Sequence, residues 1–273
     1  PSATGVLPCV LGRATRLAQF HTRNDKVYEG VIRFGFSTDS YDAQGEPTSE
    51  PREVSLSAEQ AETLLAQFRG RILQKPPAIS AKKIDGQPAY KLARKNKPVD
   101  LEPIEVEIFE LRITAVEGCD VAVYVRCSGG TYIRSIAHDA GQALGCGAHL
   151  AGLRRTHTGK LRIEDALDLA ALGALDVAAR DARLISADRV LEAFPALMLS
   201  KAVGRRVLQG QTPSAPPGVS DGVVRAYAEG LFLGLVRVAR GGLWPERLMP
   251  DTVFAPQAAD NATETLPATG KTG

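Results

Sequence analysis

The sequence predicts an α+β fold, and three stretches carry that prediction. Val121, Val123, Val125 and Cys127 alternate with Ala122, Tyr124, Arg126 and Ser128, the period-two pattern of a strand with one buried face. Past Gly129 and Gly130 the period changes, and Ile133, Ile136, Ala137, Ala140 and Leu144 recur at helical spacing until Gly145. Near the other end, residues 223–227 and 231–236 read as strands on either side of a Glu229-Gly230 turn, the mark of a small β-rich module.

At 273 residues the chain is long enough for a large domain and a small one. A formal net charge of +2 means that a polyanionic partner must be held by local clusters and not by a global field. No apolar run reaches membrane-spanning length and no signal pattern opens the chain, so the expectation is a cytoplasmic protein with no membrane partner. Cys9, Cys119, Cys127 and Cys146 lack paired spacing and are read as free thiols, with no metal site expected.

In chain order, residues 4–20 mix Gly5, Pro8 and Gly12 with apolar residues and read as a loop followed by a helix. Tyr28, Ile32 and Phe34 share one face of a strand over 26–36. Thr38-Asp39-Ser40-Tyr41-Asp42 and Gly45 read as a turn in which carboxylates bond nearby amides; Asp39 and Asp42 as nucleophiles is the alternative. Ser57-Ala-Glu-Gln60 is a capping-box start, continued by Ala61, Leu64, Leu65 and Phe68. Between 69 and 97, nine basic residues (Arg69, Arg71, Lys75, Lys82, Lys83, Lys91, Arg94, Lys95, Lys97) face Asp85 alone, which favours a phosphate-facing patch over a solvated face of mixed sign. From Ile104 strand alternation returns, then slips phase at Phe109, which suggests a bulge. Residues 161–195 read as two helical stretches, with Leu167 and Leu169 in the first and Val190, Leu191 and Phe194 in the second. The Ala-, Pro-, Thr- and Gly-rich stretch 255–273 reads as a disordered tail.

The Gly129-Gly130 switch aims the first helical side chains at one point, a usual place to build a site, although the same dipeptide also serves as plain punctuation. Cys127-Ser-Gly-Gly-Thr-Tyr-Ile-Arg134, His138-Asp139, Gly145-Cys-Gly-Ala-His-Leu150 and Leu153-Arg-Arg155 together resemble the TruB-type tRNA pseudouridine synthases. Lys26-Val-Tyr28 resembles the family's Lys-x-Tyr motif, and residues 38–45 its Thr-Asp-x-x-Asp-x-x-Gly turn. Many members carry Lys where Gly129 stands, a departure that removes one phosphate contact.

The resemblance implies a pseudouridine-synthase mixed sheet with flanking helices over 1–194, interrupted by a basic thumb-like insertion at about 69–97, and an all-β PUA-like RNA-binding domain over 195–254. It implies isomerisation of uridine-55 in the tRNA T-arm without cofactor or obligatory protein partner. Tyr28 would stack on the everted base and act as general base, and Arg134 would pair with the catalytic carboxylate. Tyr132 and Leu153 would line the pocket, while Lys75, Lys82, Lys83, Arg94, Arg154 and Arg155 would hold phosphates. From spacing alone Tyr28 is equally an ordinary core aromatic on a strand.

The opening Pro-Ser-Ala-Thr-Gly resembles the motif in which Asp-Pro precedes Ala-Thr-Gly, so the nucleophilic Asp is expected immediately before Pro1 and the 273 residues alone are expected to be inactive. Arg134, without that partner, is expected to be hydrated or to face substrate phosphate. The alternatives are a structured-RNA-binding or tRNA-folding module without chemistry, and a phosphate-binding metabolic enzyme using the Gly129-Gly130 turn.

Overall fold

The computed structural model describes residues 3–80, 82–84, 87–89 and 101–249. The chain divides into two units, Pro1–Leu191 and Glu192–Gly273.

In the first unit the elements run β1 (Ala3–Gly5), a 3-10 turn (Gly12–Leu17), α1 (Ala18–His21), β2 (Lys26–Phe34), α2 (Ala58–Ala66), β3 (Gly70–Gln74), β4 (Lys83–Ile84), β5 (Gln87–Pro88), β6 (Ile104–Glu117), β7 (Asp120–Cys127), α3 (Ile133–Leu144), β8 (Ala148–Thr158) and β9 (Leu161–Arg162). The main sheet has the order β1-β8-β2-β7-β6-β3, with β9 paired to β8. It is mixed: β1 runs parallel to β8, and the other pairs are antiparallel. The expected α+β class with a mixed sheet is what the chain adopts.

Alternation explains which face is covered. Val121, Val123, Val125 and Cys127 of β7 are each at most 2% exposed and meet Ile32 and Phe34 of β2, Ile108 and Leu111 of β6, and Ile133, Ile136, Ala137 and Ala140 of α3 in one core. Fully burying each large apolar side chain contributes about 1.5–3 kcal/mol. The phase slip at Phe109 is real: the β6–β7 register shifts between Ile108 and Glu110 and again between Ile113 and Ala115. Each bulge turns the following residues to the other face of the sheet.

Ser57 Oγ accepts from Gln60 N, and Gln60 Oε1 accepts from Ser57 N, the reciprocal capping box that starts α2. Gly145 ends α3 in the left-handed region at φ 77°, a conformation open to glycine and costly for most other residues.

Two local expectations are corrected. β2 stops at Phe34 and not at residue 36, because Gly35 leaves the strand at φ 118°. Of the two helical stretches expected over 161–195, the first is two short helices, α4 (Leu169–Ala174) and α5 (Val177–Asp181), and the second only a 3-10 turn at Arg189–Leu191 that leaves Phe194 outside; β9 and a 3-10 turn at Ile163–Asp165 precede them. Asp168 and Asp176 cap these helices by accepting from Ala171 N and Ala179 N, which leaves Leu167 outside, and neither helix buries a residue.

The second unit contains β10 (Ala196–Leu199), α6 (Lys201–Leu208), β11 (Gly222–Ala228), β12 (Leu231–Ala239) and β13 (Gly242–Leu248), in a four-stranded sheet of that strand order. Its own core joins Leu197, Leu199, Val207, Val224, Leu233, Val236 and Val238. Among the described residues, no helix is long and apolar enough to cross a membrane.

Candidate active site

The strand-to-helix switch at the end of β7 places the site. Thr131 Oγ1 donates to Ser128 O at 3.0 Å, closing the turn, and Tyr132 occupies the N-cap of α3 in extended conformation. Gln74, at the end of β3 and 1% exposed, bridges to Tyr132: its Nε2 donates to Tyr132 O at 3.0 Å and its Oε1 accepts from Tyr132 N at 2.7 Å. One buried amide therefore satisfies both backbone groups of the N-cap residue, as a partner strand would. Ser135 Oγ donates to Lys75 O at 2.9 Å, so the first turn of α3 is stitched to the root of the basic stretch.

Around this corner lies a cavity of about 730 Å³, lined among others by Tyr28, Asp42, Ile79, Tyr132, Arg134 and Leu153. It brings together the four residues that the resemblance singled out for catalysis and base binding, contributed by β2, the N-terminal end of α3 and β8.

Tyr28 is partly buried on β2, and burial pushes its phenol above the ordinary value; the neighbouring Cys127 acts in the same direction, while a hydrogen bond from Arg155 opposes both. Arg155 Nε also donates to Val6 O at 2.7 Å, so this guanidinium braces Tyr28 and the segment after β1. Arg154, one residue earlier on β8, projects from the other face of the strand, where it borders a separate concavity with Glu29, Arg112 and Tyr124. The adjacent arginines thus serve different faces of the sheet.

The structure overturns the expectation that Arg134 is hydrated or left to a phosphate. Arg134 Nη1 donates to Ser40 O at 2.9 Å and to Asp42 Oδ2 at 3.1 Å, and its Nη2 donates to Ile79 O at 3.0 Å. The ion pair is mostly shielded, with side chains 23% and 16% exposed. A cation in the first turn of a helix opposes the macrodipole; here one carboxylate and two carbonyls more than compensate locally.

The turn reading of residues 38–45 holds. Asp39 Oδ1 accepts from Glu46 N at 3.0 Å, and Asp42 Oδ1 accepts from Gln44 N at 3.0 Å and from Ser40 Oγ at 2.8 Å. Asp42 therefore shapes the turn with one oxygen and holds Arg134 with the other, a second role that spacing alone did not reveal. Gln74, Ser40 and Ile79 were likewise missed, since only their distant partners give them meaning.

Gly129 is explained by packing. A Cβ there would lie 2.4 Å from Thr22 O and 2.9 Å from Arg23 Cα, so the loop between α1 and β2 occupies the space that a lysine at this position would need. Lys26 Nζ pins that loop by donating to Thr22 O and Asn24 O, each at 2.6 Å.

Of the basic stretch, Arg69 is committed to structure: it forms an ion pair with Glu62 at 2.6 Å and donates to Leu111 O. Lys75 is exposed and Lys82 is half-buried. Nothing is described of the side chain of Lys83, and Arg94, with Tyr90, Lys91, Lys95 and Lys97, lies outside the described residues. Among the described residues no group of His, Cys, Asp or Glu side chains is arranged to hold a metal, and the four cysteines are free thiols.

Comparisons with known proteins show the family of the chain. Residues 1–133 match the family model described as TruB family pseudouridylate synthase (N terminal domain). Residues 134–193 match the tRNA pseudouridylate synthase B C-terminal domain, and residues 195–249 match Pseudouridine synthase II TruB, C-terminal. The chain is 52% identical over 219 residues to the tRNA pseudouridine synthase B of Solibacter usitatus (strain Ellin6076), covering 80% of this chain and 74% of that protein. It is 44% identical over 255 residues to the protein of the same name from Stutzerimonas stutzeri (strain A1501), covering 91% and 83%. In fold it resembles a chain of "Structure of H/ACA RNP bound to a substrate RNA containing 2'-deoxyuridine", with a TM-score of 0.66 at 20% identity over 92% of this chain and 74% of that one. With its two units both matched, the chain belongs to the TruB family of pseudouridylate synthases.

Proposed function

We propose that the cavity receives a uridine everted from the T-arm of tRNA and that the reaction is isomerisation of uridine-55 to pseudouridine. The observation that carries this reading is the convergence of Tyr28, Tyr132, Arg134 and Leu153 on one cavity large enough for a nucleoside. A base inside folded RNA is out of reach, so the enzyme must unstack it and rebuild its contacts from aromatic and apolar side chains. Tyr28 and Leu153 supply those faces. The relatives named tRNA pseudouridine synthase B support tRNA as the substrate.

The reaction breaks the bond between N1 and C1′ and forms one between C5 and C1′. The C5 proton leaves to solvent, N1 gains a proton, and there is no net redox change, so no cofactor is required. A carboxylate would serve as nucleophile. Arg134, already fixed in direction by Ser40, Asp42 and Ile79, would keep that carboxylate ionised in a desolvated site. Tyr28, protonated at neutral pH, would stack on the base and accept the C5 proton at its oxygen as its own hydroxyl proton passes to water. Lys75, Lys82, Lys83 and Arg94 would position the RNA by its phosphates, as would Arg154 and Arg155 where their protein contacts leave donors over. The second unit would make RNA contacts of its own as a PUA-like domain over 195–254.

The test uses the protein expressed from its genomic start codon and tRNA carrying tritium at uridine C5. Tritium release that disappears when uridine-55 is replaced by cytidine supports the proposal. Salt-dependent tRNA binding without any release favours the non-catalytic RNA-binding module.

A further inference from the structure

We propose that Tyr41 and His138 form a positioning pair that fixes the Arg134 guanidinium, a proposal that rests on the reading of Arg134 as the arginine of the site. Arg134 and His138 stand four residues apart on α3 and so share one face. Arg134 Nη1 binds Ser40 O and the Asp42 carboxylate, the residues on either side of Tyr41. His138 takes the residue between them: its ring stacks on that of Tyr41 with centroids 3.8 Å apart and planes 11° from parallel. Two side chains of one helix face thereby grip three successive loop residues.

Neither aromatic is required by the turn itself. Tyr41 adopts φ 63°, a left-handed conformation that glycine or asparagine enters readily and a bulky residue enters at a cost. Its carbonyl accepts from Leu150 N at 2.9 Å, tying the strained residue to β8. A sequence selected for the turn alone would place Gly or Asn here. His138 is not retained for a hydrogen bond from Nδ1, which is buried and has no partner among the described residues. Burial also holds its imidazole below the ordinary value, so a neutral ring faces the phenol. What both residues use is the ring face. The stack removes the lateral freedom that the loop would otherwise have, and with it the freedom of the two acceptors on which the direction of Arg134 depends.

The experiment uses the full chain labelled with 15N-arginine, the Arg134 side-chain signals being assigned by their loss in Arg134→Lys. Tyr41→Asn keeps the backbone preference and removes the ring, and His138→Ala removes the other ring; both should speed exchange of the Arg134 guanidinium protons with water by roughly two- to tenfold, the loss that an aromatic pair of this kind carries. Tyr41→Phe and His138→Phe keep a stack and should leave exchange as in the parent. In the protein expressed from its genomic start codon, Tyr41→Asn should lower kcat with KM for tRNA unchanged, without lowering the melting temperature, because asparagine relieves backbone strain. Unchanged Arg134 exchange in Tyr41→Asn overturns the proposal, as does a Tyr41→Phe variant disturbed as much as Tyr41→Asn. If exchange responds as expected while no variant and no parent releases tritium, the functional reading fails and the positioning pair stands.

Discussion

Replacing Gln74 by methionine isolates the contact that sets the N-cap of α3. Methionine matches the volume and apolar burial of glutamine's stem, so little cavity is created, and the change removes the two bonds to Tyr132 at 3.0 and 2.7 Å. Their losses differ. Tyr132 O keeps the donors Ser135 N at 3.1 Å and Ile136 N at 3.4 Å, so this side costs about 0.5–1.5 kcal/mol, the net worth of one bond. Tyr132 N loses the acceptor that Gln74 supplies beside a residue only 1% exposed, and an unsatisfied donor costs about 1–3 kcal/mol. The sum is about 1.5–4.5 kcal/mol, which for a protein of this size lowers the melting temperature by about 3–18 °C. Differential scanning calorimetry of parent and variant at equal concentration measures it. A Gln74→Met protein melting within about 1 °C of the parent would refute the claim that a buried amide anchors this corner.

Three further outcomes follow from the same geometry. Arg134→Lys keeps the charge but cannot reach Ser40 O, Asp42 and Ile79 O with one ammonium, so tritium release should fall by about 100-fold or more while tRNA affinity measured by filter binding holds. Gly129→Ala puts a methyl 2.4 Å from Thr22 O and should cost about 1–3 kcal/mol in urea denaturation by forcing the 22–23 backbone aside. Burial lowers the values of His21 and His138, with Lys26 and Arg155 adding to the effect at His21. Both rings are therefore more readily protonated in the unfolded chain, so the stability they confer is complete above the ordinary value of 6.5 and is lost as pH falls below it through the folded values. Melting temperatures across pH 7.5 to 5.5 should decline, and His138→Phe should flatten that decline.

What could be read directly from the sequence was local. The capping box at Ser57, the glycine that ends α3, the alternation of β7 and the phase slip in β6 all depend on residues a few positions apart, where periodicity and turn chemistry act. The turn at 38–45 was legible for the same reason. Arg134 was misjudged because its acceptors lie 92 to 94 residues earlier for Asp42 and Ser40 and 55 earlier for Ile79, and no local pattern marks a guanidinium that is satisfied at such distances. Gln74 meets Tyr132 across 58 residues, and no local pattern marks that contact. Arg69 belongs to the basic stretch by charge alone, since its partner Glu62 sits seven residues earlier on α2. The 161–195 segment failed differently, since α4 and α5 bury nothing and helical periodicity carries no information where no face is buried.

A crystal structure of the chain bound to a T-arm stem-loop tests the account most directly. A uracil lying in the cavity between Tyr28 and Leu153, with Arg134 still held by Asp42, is the predicted result. RNA bound with its T-loop bases all stacked and the cavity unfilled would contradict it.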